Sequence, residues 1–143
     1  MWQTQKEALF MIFRKVNGVV LIVQDLDRCV AFYRDTLGLQ VTFSDSDSVA
    51  FRLEDQDFVL LKVSAAVQMM GEAALSPHQE AGHRFFLCAD VEDVDAAYKT
   101  LTAKGVAFIK PPIDQAWGLR TAYFADPEGN LWEFRHPLPS VQQ

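Results

Sequence analysis

Few residues in this sequence carry chemistry, and one carboxylate stands out among them. In Leu131-Trp132-Glu133-Phe134-Arg135, polar and apolar side chains alternate. A strand there carries Leu131, Glu133 and Arg135 on one face and Trp132 and Phe134 on the other. Glu133 is therefore an acid set opposite two large aromatics, and its surroundings decide what it does. A buried carboxylate without a partner is costly. One role is thus static: Glu133 pairs with Arg84 or Arg135 and anchors a ligand. The other is catalytic: desolvated by Phe86 and Leu60, it takes a proton beside a carbonyl. The enolate so formed would need an electrophile, and only arginine is in view. Phe86, Trp117 and Tyr123 are of a type to stack on a planar ligand. Arg120, close to Trp117, has the planar fork that grips a carboxylate or sulfate.

The other reactive types lack spacing. Cys29 and Cys88 form no motif and read as free thiols of a cytosolic protein. Cys88 sits among apolar residues with no paired base, which points to core packing. His78, His83 and His136 read as surface or strand-end residues, the alternative being a displaced metal site that they form with Glu133. No Ser-His-Asp arrangement is visible.

The elements that must position these residues come in two similar sets. Gly18–Asp25 is a β-branched run and predicts a buried strand. Leu26, Val30, Phe32, Tyr33 and Leu37 follow at helical spacing, with Asp25 as N-cap and Gly38 closing the helix. Leu39–Phe43, Val49–Leu53 and Phe58–Val63 predict three more strands. Ala65–Gly82 breaks the pattern and reads as a linker with a helical turn near Val67–Met70. The order then returns: a strand at His83–Asp90, a helix from Asp93 through Lys104 ended by Gly105, and a strand at Val106–Ile109 stopped by Pro111-Pro112. Ala122–Phe124 and Leu131–Arg135 supply the last two strands around the turn Asp126-Pro127-Glu128-Gly129-Asn130. Val23-Gln24-Asp25 lies 68 residues before Val91-Glu92-Asp93, and Gly38 lies 67 before Gly105. Both halves read β-α-β-β-β. The expected fold is α+β: two βαβββ modules, at about 16–64 and 83–136, joined by a linker at about 65–82. Each offers a twisted four-stranded sheet with a helix on its outer face, and the sheets side by side form a cleft.

Length and composition fit one compact domain, or two half-size modules that share a core. The chain has 143 residues, half of them hydrophobic and 22% charged, with a net charge of −6. It has no Lys/Arg cluster, which argues against nucleic acid, and no apolar run of the ~18 residues a membrane span needs. The first residues, MWQTQKEALFMIFRKV, carry Glu7 and lack a small-residue cleavage site. They read as an arm that packs on a partner subunit rather than as a secretory signal.

VQDLDRCVAFYRDTLGL, DVEDVDAAYKTLTAKGV and YFADPEGNLWEF, in that order and with the internal repeat, resemble the vicinal oxygen chelate superfamily. That group holds glyoxalase I, the bleomycin-resistance proteins and the extradiol dioxygenases, and the resemblance covers about residues 16–136. It implies four inward metal ligands, two on the first strands of the modules and two on the last. Carried over position by position, these fall at Gly18, Leu60, Phe86 and Glu133. Three of the four are replaced, and one carboxylate cannot replace a cation's hydration shell. The resemblance therefore implies a protein without metal or other cofactor. It would bind a small organic ligand, aromatic or antibiotic-like, in an apolar cleft lined by Phe86, Leu60, Trp117, Arg120, Tyr123, Arg84 and Arg135. Homodimerisation with a shared cleft is implied as well. An enzyme of the same superfamily with unusual ligands, a lyase, isomerase or dioxygenase, is the alternative, and so is a module whose cleft is filled by its own side chains.

Overall fold

A computed structural model describes residues 16, 18–75 and 86–140 of the chain. The expected N-terminal arm, His78, His83 and Arg84 lie outside these residues. The first sheet is built from β1 (Val19–Val23), β2 (Gln40–Ser44), β3 (Ser48–Arg52) and β4 (Asp57–Lys62), in the order β1-β4-β3-β2. The second is built from β5 (Leu87–Asp90), β6 (Phe108–Asp114), β7 (Leu119–Ala125) and β8 (Leu131–Pro137), in the order β5-β8-β7-β6. In both, the first strand runs parallel to the fourth and the remaining pairs are antiparallel. The architecture is two four-stranded mixed sheets with helices, an α+β fold.

Each module's helix begins on an aspartate whose carboxylate accepts a backbone N–H. Asp25 takes that of Arg28 at 3.1 Å at the start of α1 (Leu26–Ala31). Asp93 takes that of Ala96 at 3.1 Å at the start of α3 (Val94–Ala103). These caps satisfy donors that the first turn leaves free. After Ala31 the first helix widens into a π-helical turn, Phe32–Thr36, closed by a bond from Leu37 N–H to the Phe32 carbonyl. Gly38, with φ +79°, then reverses the chain.

Two elements differ from the sequence reading. Val63 starts a helix, α2 (Val63–Met70), rather than ending a strand. Pro111 and Pro112 do not stop β6, which runs on to Asp114. β6 is an edge strand with register shifts on both sides of Lys110. An edge needs no outward N–H donor, and bulges absorb the missing bonds, so the prolines are tolerated there.

The core joins the helix-bearing sides of both sheets. Leu21, Phe51, Phe58 and Leu60 of the first sheet pack with Cys29 and Tyr33 of the first helix and with Phe124 and Trp132 of the second sheet. Tyr33 sits at the centre, its ring 5.1 Å from Phe58 and 6.1 Å from Trp132, centroid to centroid. No described helix is long and apolar enough to cross a membrane.

Candidate ligand-binding site

Glu133 is positioned by the turn that precedes it. Asp126, almost fully buried, accepts the N–H groups of Glu128 and Asn130 on Oδ1, each at 2.9 Å. Its Oδ2 accepts the Asn130 side-chain amide at 2.8 Å and the Tyr33 hydroxyl at 2.6 Å. Gly129 supplies the positive φ, +89°, that the turn demands. The Tyr33 oxygen also accepts the Trp132 indole N–H at 2.9 Å. The first module thereby holds both the turn and the strand that carries Glu133. Glu128 adds a tie, accepting the Asp25 N–H at 2.8 Å. Tyr33 and Asp126 were not singled out in the sequence as positioning residues. The signal was there in a turn aspartate followed by Gly-Asn, but its partner lies 93 residues away.

The sheet register then sets Glu133 among its neighbours. Cys88 on β5 and Tyr123 on β7 stand directly beside it, and Arg135 follows two positions on. All four share the face of the second sheet turned away from the core, since Trp132 and Phe134 point the other way. Glu133 is nonetheless only 5% exposed. The Tyr123 hydroxyl donates to its Oε2, and Arg135 Nη1 lies 3.9 Å from its Oε1. The closer partner of Arg135 is Asp90, at 2.8 Å. Phe86 stands edge-on to Tyr123 with ring centroids 6.0 Å apart, and is half exposed. Burial first, then the bond to Glu133, pushes the Tyr123 hydroxyl above its usual range. The Cys88 thiol is raised for the same two reasons in the same order.

The structure thus brings Phe86, Tyr123, Glu133 and Arg135 together and separates them from Leu60, Arg120 and Trp117. Leu60 is fully buried, pairs with Leu21, and faces the core rather than the cleft. Arg120 is also on the core side. It pairs with His136 across the strands and holds Asp95 of α3 through Nε and Nη2, at 2.8 and 2.9 Å. Its Nη1 reaches Asp114 at 2.7 Å, so both ends of its fork are taken by the protein. Trp117 stands on the turn between β6 and β7, 66% exposed and away from this cluster's ring contacts. His136 is three residues on from Glu133, hence on the opposite face, where its Nδ1 accepts the Val94 N–H at 2.8 Å and caps α3. It cannot join Glu133 in a metal site. Cys88 is the residue the sequence reading undervalued: it is exposed and beside Glu133 rather than packed in the core. Its alternation with Phe86 carried that information.

The register also corrects one of the four positions at which the family resemblance implies metal ligands. Phe58 pairs with Val19 as Trp132 pairs with Leu87, so the first-module counterpart of Glu133 is Val59, not Leu60. The set becomes Gly18, Val59, Phe86 and Glu133. Glycine, valine and phenylalanine offer no side-chain donor, and the two oxygens of Glu133 already meet Tyr123 and Arg135. A divalent cation bound by protein needs several such donors. The residues present do not fit a metal.

Residues 15–134 match the family model for the Glyoxalase/Bleomycin resistance protein/Dioxygenase superfamily. The "Uncharacterized protein YraH" of Bacillus subtilis (strain 168) is 34% identical over 122 residues, which is 83% of this chain and 95% of that protein. A solved glyoxalase/bleomycin resistance protein/dioxygenase from Nocardioides superposes with a TM-score of 0.79 at 23% identity, over 99% of this chain and 95% of that one. A family enzyme of the same description from Burkholderia phytofirmans PsJN gives 0.75 at 22% identity, over 87% of this chain and all of its own. At these identities the two solved structures speak to the fold alone.

Proposed function

The chain belongs to the Glyoxalase/Bleomycin resistance protein/Dioxygenase superfamily, and from that premise we propose that it is a metal-free binding protein for a small organic molecule with an aromatic or otherwise planar apolar part. The observation that carries the reading is the state of Glu133, a buried carboxylate engaged by Tyr123 and Arg135, whose three companion positions in the implied ligand set, Gly18, Val59 and Phe86, carry no side-chain donor. Phe86 and Tyr123 form an aromatic corner at its edge. In this reading the ligand stacks there, and a polar group on it exchanges bonds with the Tyr123–Glu133–Arg135 set.

The cleft is completed by a second copy of the chain. The outward face of the first sheet supports this: Val20, Val59 and Ala50 lie side by side on it, and Phe43 adjoins Ala50. Val20 and Phe43 are each about half exposed. Such a face gains by meeting another apolar surface, and the aromatic corner of Phe86 and Tyr123 on the second sheet of another copy offers one. The free thiols of Cys29 and Cys88 suit a reducing cytoplasm.

A thermal-shift screen of aromatic acids, thiol conjugates and antibiotics tests the reading. A specific ligand raises the melting temperature by binding only the native state. The expected shift is independent of EDTA and is lost in Phe86→Ala. Turnover of any such compound that requires an added divalent cation contradicts it and establishes the alternative, a metal-dependent lyase, isomerase or dioxygenase.

A further inference from the structure

One cavity among the described residues is not centred on the Glu133 face. It lies on the other side of β8, between the modules, with a volume of about 740 Å3. That is within the roughly 300–1,000 Å3 typical of small-molecule sites. Trp132 and Phe134, which alternate with Glu133 along β8, form part of its floor. Leu37, Leu39 and Leu53 line it from the first module, and Leu87 from the second. These four leucines pack against the core yet stay partly uncovered, so apolar surface is left for something else to bury.

The rim gives the charge of what would fit. Glu54 and Asp55, on the turn from β3 to β4, stand at its mouth, and both are exposed. Neither carboxylate takes a hydrogen bond or ion pair among the described residues. Lys104 faces them from the end of α3, but its ammonium donates to the Thr36 carbonyl at 3.1 Å. Asp90, also at the edge, is held by Arg135. The bond to a neutral carbonyl leaves the Lys104 charge in place, so the rim sets two unpaired carboxylates against one ammonium and is negative on balance.

We propose that this cavity, whose lining meets the Glu133 face at Cys88 and Asp90 of the edge strand β5, is a second binding site for an amphiphilic amine: an apolar body that lies on Trp132, Phe134 and the leucines, with a protonated amino group at Glu54 and Asp55. Apolar burial supplies the affinity. The exposed carboxylates add a modest preference for positive charge, since ion pairs in water are weak.

The test titrates the full-length protein with octylamine and, separately, octanoate, and follows leucine and valine methyl resonances. Octylamine is expected to saturate, to move the methyls of Leu37, Leu53 and Leu101, and to bind about fivefold more tightly than octanoate. In the Glu54→Gln/Asp55→Asn double variant, whose changes are on the surface, the two probes converge. Equal or tighter octanoate binding overturns the proposal. So does failure of both probes to bind, the result expected if another copy or the chain's own residues occupy the space. Octylamine shifts confined to Val20 and Val59 also overturn it by placing the amine on the outward face. Only the last outcome touches the shared cleft at Glu133; the others leave that reading, tested separately by the Phe86→Ala screen, as it stands.

Discussion

Glu133 governs its neighbours through charge, and Cys88 reports that charge. The thiol is held up by burial and then by Glu133. Glu133→Gln removes the negative charge, so the Cys88 thiolate fraction at pH 8 rises. Iodoacetamide alkylation of the native protein should then speed up about two- to fivefold. An unchanged or slower rate would mean that the thiol and carboxylate do not interact. Cys29 makes a second residue-level prediction. Burial, followed by the charge of Asp126, raises its thiol from 9.0 to about 12. The folded state thus holds this proton where the unfolded chain releases it. The resulting stability is complete below pH 9 and is lost as the pH climbs from 9 toward 12, by up to about 1.4 kcal/mol per pH unit. Tyr33, also raised, adds a loss of the same sign above pH 10. Urea melts of the parent and of Cys29→Ala across that range isolate the thiol: the variant should show the shallower decline, and parallel curves would refute the assignment.

At the scale of elements, the link between the first helix and the β7–β8 turn is the feature to break. Tyr33 donates to Asp126 and accepts from Trp132, all three at or near full burial. Tyr33→Phe keeps the ring and deletes the oxygen, leaving a buried indole N–H without its partner. The expected cost is about 1–3 kcal/mol in urea unfolding; a loss under half of that would show that the link does not fasten the modules. This scale also shows what the sequence could and could not reveal. β8 was phased correctly because Glu133 and Arg135 alternate with Trp132 and Phe134. β4 was not, because Phe58-Val59-Leu60-Leu61 is apolar on both faces and offers no alternation to read. That is why Leu60 stood in for Val59. The helix caps and the repeat were legible since Asp25, Gly38, Asp93 and Gly105 act locally. Arg120 was misplaced because its carboxylates come from Asp95, 25 residues earlier, and from Asp114 across a hairpin. Local pattern carries phase and punctuation; it does not carry the partner of a charge.

For the whole molecule, the reading has each chain holding half of two clefts. The outward face of the first sheet carries Val20, Val59 and Ala50 side by side, with Val20 half exposed on the edge strand β1. Val20→Asp places a charge where the partner's surface would exclude water, a change that costs little in an isolated chain and much in a dimer. Sedimentation should show the parent as a dimer and the variant shifted toward monomer, with the ligand-induced rise in melting temperature lost in parallel. A parent that stays monomeric at high concentration would remove the shared cleft from the account.

The central claim is that the Glu133 site is built to do without a metal, its single carboxylate being satisfied by Tyr123 and Arg135. Elemental analysis of untagged protein, purified without chelator and then dialysed against zinc, iron, nickel and manganese in turn, tests it most directly. The account predicts that each metal stays far below one equivalent per chain. Stoichiometric retention of any of them, abolished by Glu133→Gln, would contradict it.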